Sequence, residues 1–93
     1  MSDERASHKY CIEIPDRVDD LGLSPHAYRL YVRVKRLIGD TGVCHDSARE
    51  LAEHCRMSVG QVARAKRELK RHGIVSTGRV NNRDDIRIAE EWL

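Results

Sequence analysis

Phenylalanine is absent from this 93-residue chain, and three tyrosines and one tryptophan are its only aromatic residues. Leu, Val, Ile and Ala must therefore build the core, and a chain of this length closes one small domain. Long apolar runs are missing too, so nothing resembles a signal peptide or a membrane span. Cysteine is sparse: Cys11, Cys44 and Cys55 are an odd set that cannot all pair within one chain, and a reducing, cytoplasmic setting is expected. No glycine- or serine-rich linker, internal repeat or low-complexity tract divides the chain. Residues 10–93 read as a single domain behind a polar, aperiodic and flexible terminus over residues 1–9. Also missing are a phosphate-binding glycine loop, a serine in a recognisable nucleophile elbow and any gathering of carboxylates. The chain is expected to be neither an enzyme nor the holder of a cofactor.

What is present is charge, unevenly placed. The formal net charge is +2, which by itself says little about partners. Residues 1–20 hold three cations against six acids, a local −3, whereas residues 56–83 hold eight cations (Arg56, Arg64, Lys66, Arg67, Lys70, Arg71, Arg79, Arg83) against Glu68 alone, a local +7. A charged helix face is usually no more than a solvated one. Solvation favours mixed signs, however, whereas a field of one sign marks an anionic partner.

The stretch 47–75, SARELAEHCRMSVGQVARAKRELKRHGIV, organises the rest. Ser47 with Glu50 and Ser58 with Gln61 each have the spacing of a capping box, in which two orphan amide donors at a helix start are satisfied reciprocally. The first helix runs from Ala48 to about Cys55; the second occupies residues 58–72 and stops at Gly73. Ala48, Leu51, Ala52 and Cys55 share one face, as do Val62, Ala65 and Leu69 with Ser58 and Val59 at the entrance. Ala52 is small where two steeply crossing helices approach. Opposite Val62 and Leu69 fall Gly60, Arg64, Arg67 and Arg71. A helix entering a DNA major groove needs a small residue near its leading end and long planar donors for guanine edges or phosphates.

Around this stretch, Tyr10 to Ile14 are β-prone and end at Pro15, as a short strand or an extended arm that packs on its own domain or on a partner subunit. Ser24 and Pro25 are an N-cap and a first-turn proline. Ala27, Leu30, Tyr31, Val34, Leu37 and Ile38 then hold one face until Gly39, the core helix on which the pair packs. Tyr28 and Val32 lie off that stripe, against the N-terminal arm or in a dimer contact. Residues 40–42 turn the chain, and Val43, Cys44 and His45 suffice for one short strand. Residues 74–80 and 86–88 flank an Asn/Asp-rich loop and read as a hairpin, after which Trp92 and Leu93 fold back onto the core.

The pieces LSPHAYRLYV, SARELAEHC and MSVGQVARAKREL ending in RHGIV, in this order, resemble the winged helix-turn-helix family over residues 12–88. They look like the domains of phage and plasmid replication initiators and small prokaryotic regulators. The resemblance implies a mainly α fold with a small β-hairpin: a three-helix core plus a wing. It implies that the helix of residues 58–72 reads the major groove. Ser58 and Gln61 at its leading end donate to phosphates or bases, Arg64 and Arg67 face the bases, and Lys70 or Arg71 meets a phosphate strand. In the wing, Arg79 and Arg83 are backbone or minor-groove candidates, or the side chains of an ordinary soluble hairpin. Many such domains carry glycine in the turn where this chain has Arg56, so a left-handed residue there stores a small strain.

Cys44, His45, His54 and Cys55 form two adjacent pairs, but zinc ligands sit two to four residues apart so that both reach one ion, and Cys55 is needed on a buried face. No metal site is expected. The reading is a double-stranded DNA-binding transcriptional regulator acting as a homodimer, because one small module touches few base pairs. Its alternatives are a phage or plasmid replication protein, which the resemblance also covers, and a module whose basic helix docks on an acidic protein. An additional protein partner is compatible with each.

Overall fold

The computed structural model describes residues 14–39, 42–80 and 83–93. The expected polar terminus, the part of the arm at residues 10–13, Cys11 and the turn residues 40–41 lie outside the described residues. Four α-helices come first: α1 (Asp16–Asp20), α2 (Pro25–Ile38), α3 (Ala48–Cys55) and α4 (Val59–Arg71). The strands β1 (Val75–Val80) and β2 (Arg83–Ile88) follow, and a 3₁₀ turn (Glu90–Trp92) ends the chain.

Local chemistry sets each boundary in the helical part. Ser24 caps α2 by accepting a hydrogen bond from the Ala27 amide at 3.2 Å, with Pro25 in the first turn. Both capping boxes form: Ser47 Oγ accepts from Glu50 N at 3.1 Å while Ser47 N donates to Glu50 Oε1 at 2.8 Å. α4 ends in a Schellman closure, with Ile74 N donating to Leu69 O at 3.0 Å, Gly73 N to Lys70 O at 2.9 Å, and Gly73 at φ +72°. α3 closes in the same way through Met57 N to Ala52 O at 3.0 Å, but its left-handed residue is Arg56, at φ 58° and ψ 49°. Arg56 thus takes the glycine position of the motif, and the strain expected of it is present.

One buried cluster joins the elements. Ala27, Leu30, Tyr31, Val34 and Ile38 of α2 meet Leu51, Ala52 and Cys55 of α3 and Val62, Ala65 and Leu69 of α4, and Ile74, Val75, Ile86 and Ile88 close it from the hairpin. Leu37 is only half-buried, and Val59, expected at the buried entrance of α4, is 50% exposed. α2 packs chiefly on α4, and α3 crosses both.

Three further expectations are corrected. Pro15 is the N-cap residue of α1, a helix not expected there, which five residues with one buried side chain, Val18, could not announce by periodicity. The hairpin loop is shorter than residues 81–85, because Val80 pairs with Arg83 and Arg79 with Asp84. Arg83, Asp84 and Asp85 therefore belong to β2, and the connection is Asn81–Asn82, outside the described residues. Leu93 is 51% exposed rather than folded back. Trp92 does pack: Tyr31 donates its hydroxyl to Trp92 O at 2.7 Å, and the Arg17 guanidinium stacks 4.3 Å above the indole centroid. The short strand at residues 43–45 is a single bridge, with Cys44 and Ile86 exchanging both backbone hydrogen bonds at 2.8 and 2.9 Å.

Candidate nucleic-acid interface

The exposed side of α4 carries Gly60, Arg64, Arg67, Lys70 and Arg71 together, as the helical spacing requires. Among the described residues the ion pairs are His45–Asp85 and Arg79–Asp84, so none engages these four cations. The one acid of the helix points elsewhere. Glu68 is half-buried and accepts two hydrogen bonds from Ser24, from the backbone amide to Oε2 and from the hydroxyl to Oε1, both at 2.8 Å. These two bonds hold its carboxyl below the ordinary value, with smaller help from the charges of Arg71 and His72. The carboxylate thus anchors the start of α2 and forms no ion pair with the arginine ridge, although the charge of Arg71 acts on it.

At the leading end, Ser58 is exposed and caps the helix: Gln61 N donates to Ser58 Oγ at 3.0 Å, and Ser58 N donates to Gln61 Oε1 at 2.9 Å. Both residues expected to meet DNA are thus already engaged with one another, and what they keep free is the Gln61 amide NH₂ and the Ser58 hydroxyl proton. Gly60 meets no demand of the fold. A Cβ built there has only Ser58 Oγ nearby, at 3.8 Å, an ordinary contact. A glycine inside a helix costs about 1 kcal/mol relative to alanine, so its use here has no intramolecular return.

The wing is less basic than the window of residues 56–83 suggests, because the next two residues are acids. Asp84 sits across from Arg79, its Oδ1 3.8 Å from Arg79 Nε, although Arg79 remains 70% exposed. The Arg83 side chain lies outside what the structure describes. Asp85 is buried, and its Oδ1 lies 2.9 Å from His45 Nδ1. This pair ties the α2–α3 connection to β2, and nothing local in the sequence signals it, since the partners stand 40 residues apart.

The cysteine–histidine pairs do not converge. Cys44 and Cys55 are buried free thiols whose ionisation burial opposes, and His45 faces Asp85. Among the described residues no three His, Cys, Asp or Glu side chains gather as metal ligands, and no helix is long and apolar enough to cross a membrane. Tyr28 and Val32, with Asp19, Leu23, Pro25 and Arg29, line an open groove on the outer side of α1 and α2.

A family model described as a helix-turn-helix domain matches residues 21–75, which takes in α2, α3 and α4 and stops where β1 begins. No curated protein and no solved structure matches the chain.

Proposed function

The chain belongs to the helix-turn-helix domain family, and from that premise we propose that it is a sequence-specific double-stranded DNA-binding protein that regulates transcription. The architecture supports DNA binding in general. The observation that carries the finer reading is the ridge of Arg64, Arg67, Lys70 and Arg71, exposed, without an ion pair among the described residues, on a helix whose acid is committed to Ser24. In this reading α4 lies in the major groove with Arg64 and Arg67 toward base edges. Lys70 and Arg71 meet phosphates, and Arg79 of the wing meets the neighbouring backbone. The role is one of binding without catalysis, in the cytoplasmic compartment where DNA is met.

α4 is about 20 Å long, enough for one groove segment and a few base pairs. Two-fold pairing doubles the site, and the proposal therefore includes a homodimer. Binding of a labelled 20-base-pair random duplex, followed by fluorescence anisotropy between 50 and 300 mM salt, tests the reading. Three phosphate contacts (Lys70, Arg71, Arg79) give a slope of log K against log salt of about −2.7 per protomer. Undetectable or salt-independent binding overturns it. Sedimentation at the same concentrations reads the oligomeric state, and a protein that stays monomeric on its selected site removes the dimer.

A further inference from the structure

The capping box at the start of α4 does more than begin a helix. Ser58 N is a donor, so the atom of the Gln61 amide that faces it must be the oxygen, and the flip ambiguity of a glutamine side chain does not arise. Gln61 therefore presents its NH₂ group outward. Ser58 spends an acceptor position on Gln61 N and keeps its hydroxyl proton to give. Beside these lie Arg64, Arg67, Lys70 and Arg71, all exposed and all donors only, while Glu68 has each carboxylate oxygen turned to a donor of Ser24. Val59 and Ala63 are exposed at the flank and add apolar surface without acceptors.

We infer that the exposed face of α4 is a donor-rich reading surface, and that the duplex it selects carries two guanines, on either strand, within a three-base-pair span. In the major groove only guanine offers two adjacent acceptors, N7 and O6, to a forked donor; adenine pairs an acceptor with a donor, and reading it bidentately needs a side chain that returns an acceptor. Gln61 is the residue of that kind on this face, and its oxygen is already turned to Ser58. Arg64 and Arg67 are three residues apart, a rise of about 4.5 Å along the helix, against about 3.4 Å per base step. Two guanidinium groups so spaced reach guanines one or two steps apart. This inference rests on the proposed seating of α4 in the groove and adds the base class that such seating selects.

The full chain is first used to select from a pool of random 20-base-pair duplexes. The selected duplex is then remade with 7-deazaguanine at each guanine, which removes the N7 acceptor and keeps Watson–Crick pairing. The expected result is a consensus with a guanine pair and a loss of roughly tenfold in affinity at either substituted position, about half of a bidentate contact. Gln61→Glu supplies the second arm. Glutamate also completes a capping box, so the thermal midpoint stays in place. The preference for the selected duplex over a random one falls about tenfold, because an acceptor replaces the outward donor. A consensus of A·T pairs alone, 7-deazaguanine without effect, or an undiminished preference in Gln61→Glu overturns the inference while DNA binding stands. Failure to bind the random pool at low salt overturns the proposed function itself.

Discussion

Replacing Glu68 measures how far the only acid of the reading helix belongs to the fold. Its carboxylate accepts two hydrogen bonds of 2.8 Å from Ser24, the residue that also caps α2. A hydrogen bond to an ionised group contributes about 1.5–3 kcal/mol net, and half-burial places these at the lower end. Glu68→Gln keeps one neutral acceptor and should cost about 1–2 kcal/mol, whereas Glu68→Ala, which removes both bonds, should cost about 2–3 kcal/mol. For a domain of this size the glutamine variant then melts about 5–10 °C lower. The pH dependence has a definite sign. Because the folded carboxyl is held below its ordinary 4.5, its stabilisation is complete above that value and is lost as pH falls through the lower folded value. The gap between wild type and Glu68→Gln, read by urea unfolding, should be constant at pH 6–8 and shrink below pH 4.5. A gap that persists unchanged to pH 3, or one below about 0.3 kcal/mol at pH 7, refutes the assignment of Glu68 to the α2 cap. Folded Glu68→Gln should keep its specific DNA affinity or gain modestly, since the carboxylate is turned to Ser24 and its loss removes one negative charge near Arg71.

Other substitutions separate reading, grip and fold. Arg64→Ala should cost about 1–3 kcal/mol of specific binding with random-duplex affinity little altered, and an unchanged titration on the selected site removes Arg64 from the reading surface. Lys70→Ala should weaken all sequences alike and lower the salt slope by about 0.9. Gly60→Ala, in the first turn of α4, should raise stability by about 0.5 kcal/mol in urea while weakening DNA binding through its added methyl; equal affinity would show that no close approach occurs there. Arg56→Gly relieves a left-handed side chain at the end of α3 and should stabilise by about 0.5–1 kcal/mol, with a loss of stability contradicting the strain.

Where structure is decided within four residues, the sequence was legible. Ser47/Glu50 and Ser58/Gln61 announced both boxes, and Ser24, Pro25, Gly39 and Gly73 marked the ends of the longer helices. The arginine ridge followed from helical angle alone. What escaped depends on partners distant in the chain. α1 exists because Val18 is buried and Arg17 stacks on Trp92, 75 positions away, so its local pattern is silent. Asp84 and Asp85 read as loop because aspartate favours turns, yet cross-strand placement beside Arg79 and His45 holds them in β2. Val59 stands beside the buried positions in helical phase, but at the first residue of α4 it is 50% exposed, whereas Val62 one turn on is fully buried.

The bridge between Cys44 and Ile86, with the His45–Asp85 contact beside it, fastens the root of the wing to the segment that leads into α3. On its other side Ala89 N donates to Ile74 O at 2.8 Å, directly after the end of α4. Hairpin and α4 are therefore joined through hydrogen bonds on both sides of the wing root. If α4 enters a groove as proposed, the hairpin held beside it meets the same duplex, and groove width, itself a property of base sequence, becomes a second quantity that binding senses.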